Sequence, residues 1–159
     1  MYQDADVLVV GGGNSAVEEA VFLTRYVKHV TIVHQFDHFQ ASKAAQDEAL
    51  KNPSISVIWD SEVRKINGDS FVMSVTIENL KTHELKEINC DGLFVYIGMQ
   101  PRTDLFKNIP GLLSEYEYIK TDEDMKTGIP GVFAAGDVRD KKIRQIANAA
   151  GDGVIAGIM

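Results

Sequence analysis

Val7–Val10 is an unbroken aliphatic run of strand length that stops at three consecutive glycines, Gly11-Gly12-Gly13. The next stretch, Ser15–Val27, carries Ala16, Val17, Ala20, Phe22, Leu23 and Val27 at helical spacing. His29–Val33 then alternates as a second strand, so strand, glycine turn, helix and strand fit within about 30 residues, the size of one βαβ unit. Ser42–Lys51 reads as a helix with Ser42 as its N-cap and Pro53 just past its end, and Ser54–Trp59 as the next strand.

The period changes after residue 60. Glu62–Ile66, Phe71–Glu78 and Leu85–Asn89 are short β segments separated by Asn67-Gly68-Asp69 and by the polar stretch Lys81–Glu84. That is an antiparallel meander inserted into a parallel frame. Gly92–Ile97 returns to a buried run typical of a central parallel strand, and Gly98–Asp104 reads as a connection out of the domain. Further on, Tyr118–Lys120 is a small β segment. Gly131–Ala134 starts a strand ending in Gly136-Asp137, and a small-residue helix runs from about Ile143 to Ile158. The pattern predicts an α/β chain, a Rossmann-like parallel frame with an inserted antiparallel meander, followed by a second piece beyond the connection.

Composition narrows the chemistry. A net charge of −7 leaves no basic stripe for nucleic acid. No apolar run approaches the roughly 20 residues of a membrane span, so no membrane partner is expected. The N-terminal MYQDAD lacks the layout of a signal peptide. Cys90 is the sole cysteine, which precludes an internal disulfide or a C-x-x-C pair and suits a cytoplasmic setting. It has no nearby basic group to activate it and reads as structural.

Gly11, Gly13 and Ala16 satisfy G-x-G-x-x-G/A, and each has a physical task. Gly11 allows the tight exit from the strand, Gly13 lets a pyrophosphate reach the backbone, and Ala16 lets the helix lie close to the sheet. The first helical amides, near Asn14 and Ser15, would face phosphate with the positive end of the helix dipole. Gly12 belongs to the same turn, and Ile97 and Gly98 complete the candidate nucleotide contacts. His34 and His38 are four apart but lie at a strand end and in a loop without a third ligand. A ribose-contacting or solvated role therefore fits better than a metal.

Taken in order, Gly11–Ala20, the meander, LFVYIGMQPRTD, GVFAAGD and RQIANAAGDG resemble the low-molecular-weight thioredoxin reductase family and the related flavoprotein of alkyl hydroperoxide reductase. The resemblance implies an FAD-dependent disulfide oxidoreductase passing hydride from NAD(P)H to FAD and electrons on to a thioredoxin-like disulfide protein. It implies that Asp137 hydrogen-bonds the ribitol and pyrophosphate side of FAD, with Gly136 allowing close approach. Arg144 and Gln145 match the pair opening the last helix, and the Gln145–Ile146 backbone would sit near the flavin N1/O2 edge. Family members specific for NADPH carry arginines where this chain has Gln35, Phe36 and Gln40, so NADH is expected in preference to NADPH.

The family's redox cysteines and first FAD-binding half have no counterpart here, so the resemblance implies an interior piece of a longer reductase: a three-layer nicotinamide-dinucleotide-binding domain over residues 1–103 and the incomplete C-terminal strip of an FAD-binding domain over residues 104–159. FAD would bind, and a homodimer form, only in the full-length protein. No catalytic side chain is assigned. A non-enzymatic dinucleotide-binding module and a ferredoxin-linked relative of the family remain the alternatives.

Overall fold

The computed structural model describes residues 2–159 and divides into two compact units, one ending at Gly98 and one over Met99–Met159. In the first unit β1 (Asp6–Val10), α1 (Asn14–Leu23), β2 (His29–Val33), α2 (Lys43–Lys51), β3 (Ile55–Ile58) and β7 (Gly92–Val95) build a parallel sheet of order β3-β2-β1-β7. Between β3 and β7 the chain forms β4 (Ser61–Gly68), β5 (Val72–Asn79) and β6 (Leu85–Asn89), an antiparallel sheet of order β4-β5-β6.

The alternation of β1 explains the layering. Val7 and Val9 point to one face and pack with Ala16, Val17 and Ala20 of α1 and Ala45 and Ala49 of α2. Leu8 points to the other face and meets Val75 and Ile77 of β5 together with Cys90. A strand buried on both sides needs apolar residues throughout, which is why Val7–Val10 shows no polar alternation. Small residues on α1 let it approach the sheet closely, as the pattern predicts, and Ala16 is fully buried. Each fully buried valine or leucine contributes about 1.5–3 kcal/mol of apolar transfer free energy.

The helices are shorter than the apolar pattern predicts. α1 ends at Leu23, not Val27, because the amides of Thr24, Arg25 and Tyr26 turn to carbonyls three residues back and the Thr24 hydroxyl donates to the Val21 carbonyl at 2.7 Å. Such tightened bonds are common where a helix stops. Ser42 does cap α2, its hydroxyl accepting from the Ala45 amide at 3.4 Å. β7 ends at Val95, leaving Ile97 and Gly98 outside the sheet.

The second unit is less regular. It contains two 3-10 turns, Asp104–Phe106 and Gly136–Val138, and the helix α3 (Ile146–Ile158). Gly131–Ala134 does not form a strand ladder: Phe133 makes one antiparallel bridge to Lys126, and Val132 is exposed. Ile119 likewise makes only single bridges, to Leu113 and Arg139. A β-prone run becomes a strand only where neighbours continue the ladder. α3 starts at Ile146, with Gln145 in extended backbone as its N-cap, so Arg144 and Gln145 precede the helix. The small core of this unit gathers Leu112, Ile119 and Ala134. Among the described residues no helix is long and apolar enough to cross a membrane.

Candidate functional site

The glycine turn stands at the carboxyl ends of β1 and β7, where the sheet order changes direction, the position at which α/β folds bind ligands. Gly11 adopts φ +132°, and a Cβ there would lie 2.3 Å from the Tyr96 carbonyl oxygen. Only glycine fits. Its amide donates to the Val33 carbonyl at 3.0 Å, tying the turn to the end of β2. Gly13 presents the opposite picture: a Cβ would meet nothing within 4 Å. The space over the start of α1 is open.

Gly13 is the N-cap of α1 and no side chain caps the helix. The first helical amide bonded to a backbone carbonyl is that of Val17, which donates to the Gly13 carbonyl at 3.1 Å. The amides of Asn14, Ser15 and Ala16 thus lie at an uncapped helix N-terminus, where dipole and N–H groups favour an anion. Asn14 turns its side chain aside, its Oδ1 accepting from the Ser42 amide at 2.7 Å. That bond and the donation from the Gln40 amide to the Gly12 carbonyl at 2.8 Å hold the loop after β2 against the turn.

His34 is buried rather than solvated, at 4% exposure. Its imidazole fills the place of a Gly12 side chain: a Cβ on Gly12 would be 2.4 Å from Nε2. Phe36, Phe39 and Trp59 surround the ring with centroid distances of 5.4, 6.1 and 6.3 Å. Nε2 has no hydrogen-bond partner. Burial pushes the imidazole below its ordinary pKa, outweighing a hydrogen bond at the His38 backbone. His38 stacks on Phe36 at a centroid distance of 6.2 Å and pairs with Asp37 at 2.7 Å, which lowers the Asp37 carboxyl. Gln35, Phe36 and Gln40 are exposed along the loop, and none is cationic. The turn, the loop and the exposed Ile97 and Gly98 all belong to the first unit.

The remaining predicted residues lie in the second unit. Gly136 has φ +80°, is buried, and opens the 3-10 turn holding the exposed Asp137. Arg144 lays its guanidinium 3.8 Å from the Tyr118 ring centroid and donates to the Asp137 and Arg139 carbonyls at 3.3 and 3.4 Å. Its charge is committed to holding the turn and to the ring. A cavity of about 290 Å³ is lined by Met99, Gln100, Pro101, Arg102, Tyr118, Asp137 and Val138. Three groups escaped the sequence reading: the aromatic surround of His34, Tyr118 beneath Arg144, and Asp152. Asp152 lies within RQIANAAGDG, three residues after Ala149 and hence on one helix face with it, the only sequence signal that it turns toward Gly136.

An α/β layer whose glycine turn leads into an uncapped helix defines a nucleotide-binding class of fold. The pyridine nucleotide-disulphide oxidoreductase family matches residues 2–153, and the chain belongs to it. It is 52% identical, over its whole length, to the "34.2 kDa protein in rubredoxin operon" of Clostridium pasteurianum, of which it covers 51%. It is 44% identical over 98% of its length to the thioredoxin reductase of Peptoclostridium acidaminophilum, again covering 51%. Among solved structures, the Lactococcus lactis thioredoxin reductase (FR conformation) superposes with a TM-score of 0.86 at 43% identity, over 99% of this chain and 52% of that one. The T. acidophilum thioredoxin reductase gives 0.84 at 37% identity, over 99% and 52%. The chain is thus thioredoxin reductase-like in sequence and fold, and it spans about half the length of the curated relatives it matches.

Proposed function

We propose that this chain is the nicotinamide-nucleotide-binding portion, with one wall of the flavin site, of a thioredoxin reductase-like FAD-dependent disulfide oxidoreductase. The open approach at Gly13 to an uncapped helix N-terminus carries the reading, since it is a cradle that any Gly13 side chain would fill. The bound nicotinamide and flavin supply the hydride and electron chemistry, and the protein supplies position and electrostatics. The α1 amides hold the pyrophosphate. Gln35, Phe36 and Gln40 receive the adenosine ribose without a cation for a 2′-phosphate, which favours NADH. In the second unit, Gly136 and Asp137 meet the ribitol side of FAD. The Gln145–Ile146 amides at the start of α3 would lie at the flavin edge, where a helix N-terminus favours negative charge. The full-length enzyme would be a cytoplasmic homodimer with a thioredoxin-like disulfide protein as its partner.

Calorimetric titration with NADH is the direct test. Binding by the wild-type chain and its loss in Gly13→Val, with unchanged thermal unfolding, is the expected pair of results. Equal NADH affinity in that variant would reduce Gly13 to a turn residue and sink the reading. The 159-residue chain alone is expected to be colourless and inactive toward disulfides. A stoichiometric flavin spectrum in it would show that the flavin site is complete without further chain.

A further inference from the structure

Asp152 gathers more partners than any other carboxylate described in the second unit. Its Oδ2 accepts from the Gly136 amide at 3.0 Å and from Lys141 Nζ at 2.8 Å, while Oδ1 pairs with Arg139 Nη1 at 2.9 Å. All three side chains are withdrawn from water, at 12% exposure for Asp152 and 14% for each cation. Ala149, one turn earlier on α3, is the atom group nearest to where a Gly136 side chain would be, at 3.6 Å.

One face of α3 therefore carries a small residue that receives the Gly136 turn and an anion that fastens it. We infer that Asp152 is a positioning residue for flavin: it locks the Gly136–Val138 turn, and with it Asp137, to the helix whose N-terminus completes the flavin-facing edge. This rests on the reading of Asp137 given above. Asp137 itself is exposed and its side chain makes no hydrogen bond or ion pair within the second unit, so its place is set by its backbone, which Gly136 anchors to α3 on one side and Arg144 holds at the Asp137 carbonyl. Arg139, on the far side of Asp137, is fixed by the same carboxylate and by Thr121, whose Oγ1 accepts at 2.6 Å. The turn is thus clamped at both ends. The hydrogen bond from Lys141, ahead of those from Arg139 and Gly136, holds the Asp152 carboxyl below the usual carboxylate range, so the clamp stays ionised at neutral pH.

The test uses the full-length flavoenzyme and three variants. Asp152→Leu removes the clamp, Asp152→Asn keeps an oxygen for the Gly136 amide but not the charge, and Asp152→Glu keeps the charge. FAD dissociation is followed by flavin fluorescence, and NADH affinity of the same proteins is measured in parallel. The FAD dissociation constant should rise about tenfold or more in Leu, about threefold in Asn, and less in Glu, with NADH affinity unchanged. Should Leu fail to fold, Asn and Glu decide. Wild-type FAD affinity in the charge-less variants overturns the inference alone. Parallel loss of FAD and NADH affinity also overturns it, since it marks general unfolding. A wild-type enzyme without flavin overturns the inference together with the functional reading beneath it.

Discussion

The two units each present a glycine turn beside a helix, and they hold it to that helix by different means. At Gly11 the turn is set by sterics and backbone: a neighbouring carbonyl occupies the side-chain space, main-chain bonds reach β2 and its loop, and α1 buries Ala16, Val17 and Ala20 beneath. At Gly136 the turn is fastened to α3, a helix with no buried residue, by the Asp152 carboxylate with Arg139 and Lys141, while Arg144 holds the Asp137 carbonyl and the Val138 carbonyl accepts from the Ile119 amide at 2.9 Å. Ile146 is 89% exposed. A turn seated on a packed core needs no charge to hold it. The α3 side of the Gly136 turn, where the helix buries nothing, depends on ionic hydrogen bonds, which respond to pH and salt.

The largest effect should come from breaking the steric side. Gly11→Ala forces a Cβ against the Tyr96 carbonyl at an unfavourable φ and should cost about 3 kcal/mol or more. Gly136→Ala finds ordinary contact and should cost only the left-handed backbone, about 1–2 kcal/mol. Trp59 fluorescence reports the first unit during urea unfolding, and hydrogen exchange at the Gly136 turn reports the second. Equal losses at the two positions would erase the contrast.

A smaller effect concerns the nucleotide. With no cation at positions 35, 36 or 40, NADH should bind at least about tenfold more tightly than NADPH, and Arg at 35 and 36 should shift the preference toward NADPH, most at low salt. Calorimetry with both nucleotides decides. Better binding of NADPH by the wild type would assign the 2′-phosphate to other residues of this loop.

The smallest concerns acid. His34 has a folded pKa below its ordinary 6.5, so the unfolded chain takes up the proton first as pH falls. Stability of the first unit should decline from about pH 6.5, by at most about 1.4 kcal/mol per pH unit, and level off below the lowered folded value. Asp152 has its carboxyl pKa depressed, so its contribution is present above the unfolded value near 3.8 and is lost as pH falls below it. The second unit should therefore hold to lower pH. His34→Phe should abolish the earlier decline, followed through Trp59. A decline that persists in that variant would move the titrating group elsewhere.

Val7–Val10, the glycine fingerprint and the break after residue 66 were enough to specify the parallel frame, the glycine turn and the meander, because local sterics and period act over a few residues, though β4 runs on through Asn67 and Gly68, which pair with Ser74 and Val72. The limits of α1 and α3 were not legible, since helix ends depend on which carbonyls and caps lie nearby. Gly131–Ala134 looks like a strand, but strands exist by pairing, and among the described residues it pairs only at Phe133. His34 looks like an exposed strand-end polar residue until Phe36, Phe39 and Trp59 are brought around it. Asp152 lies sixteen residues from the Gly136 amide it accepts from, and no spacing rule links them. The sequence by itself determined the backbone conformations that glycine alone permits and the apolar faces that must be buried. Only the tertiary structure decided which polar groups satisfy one another, because hydrogen bonds and ion pairs are made in space between residues whose separation along the chain carries no signal.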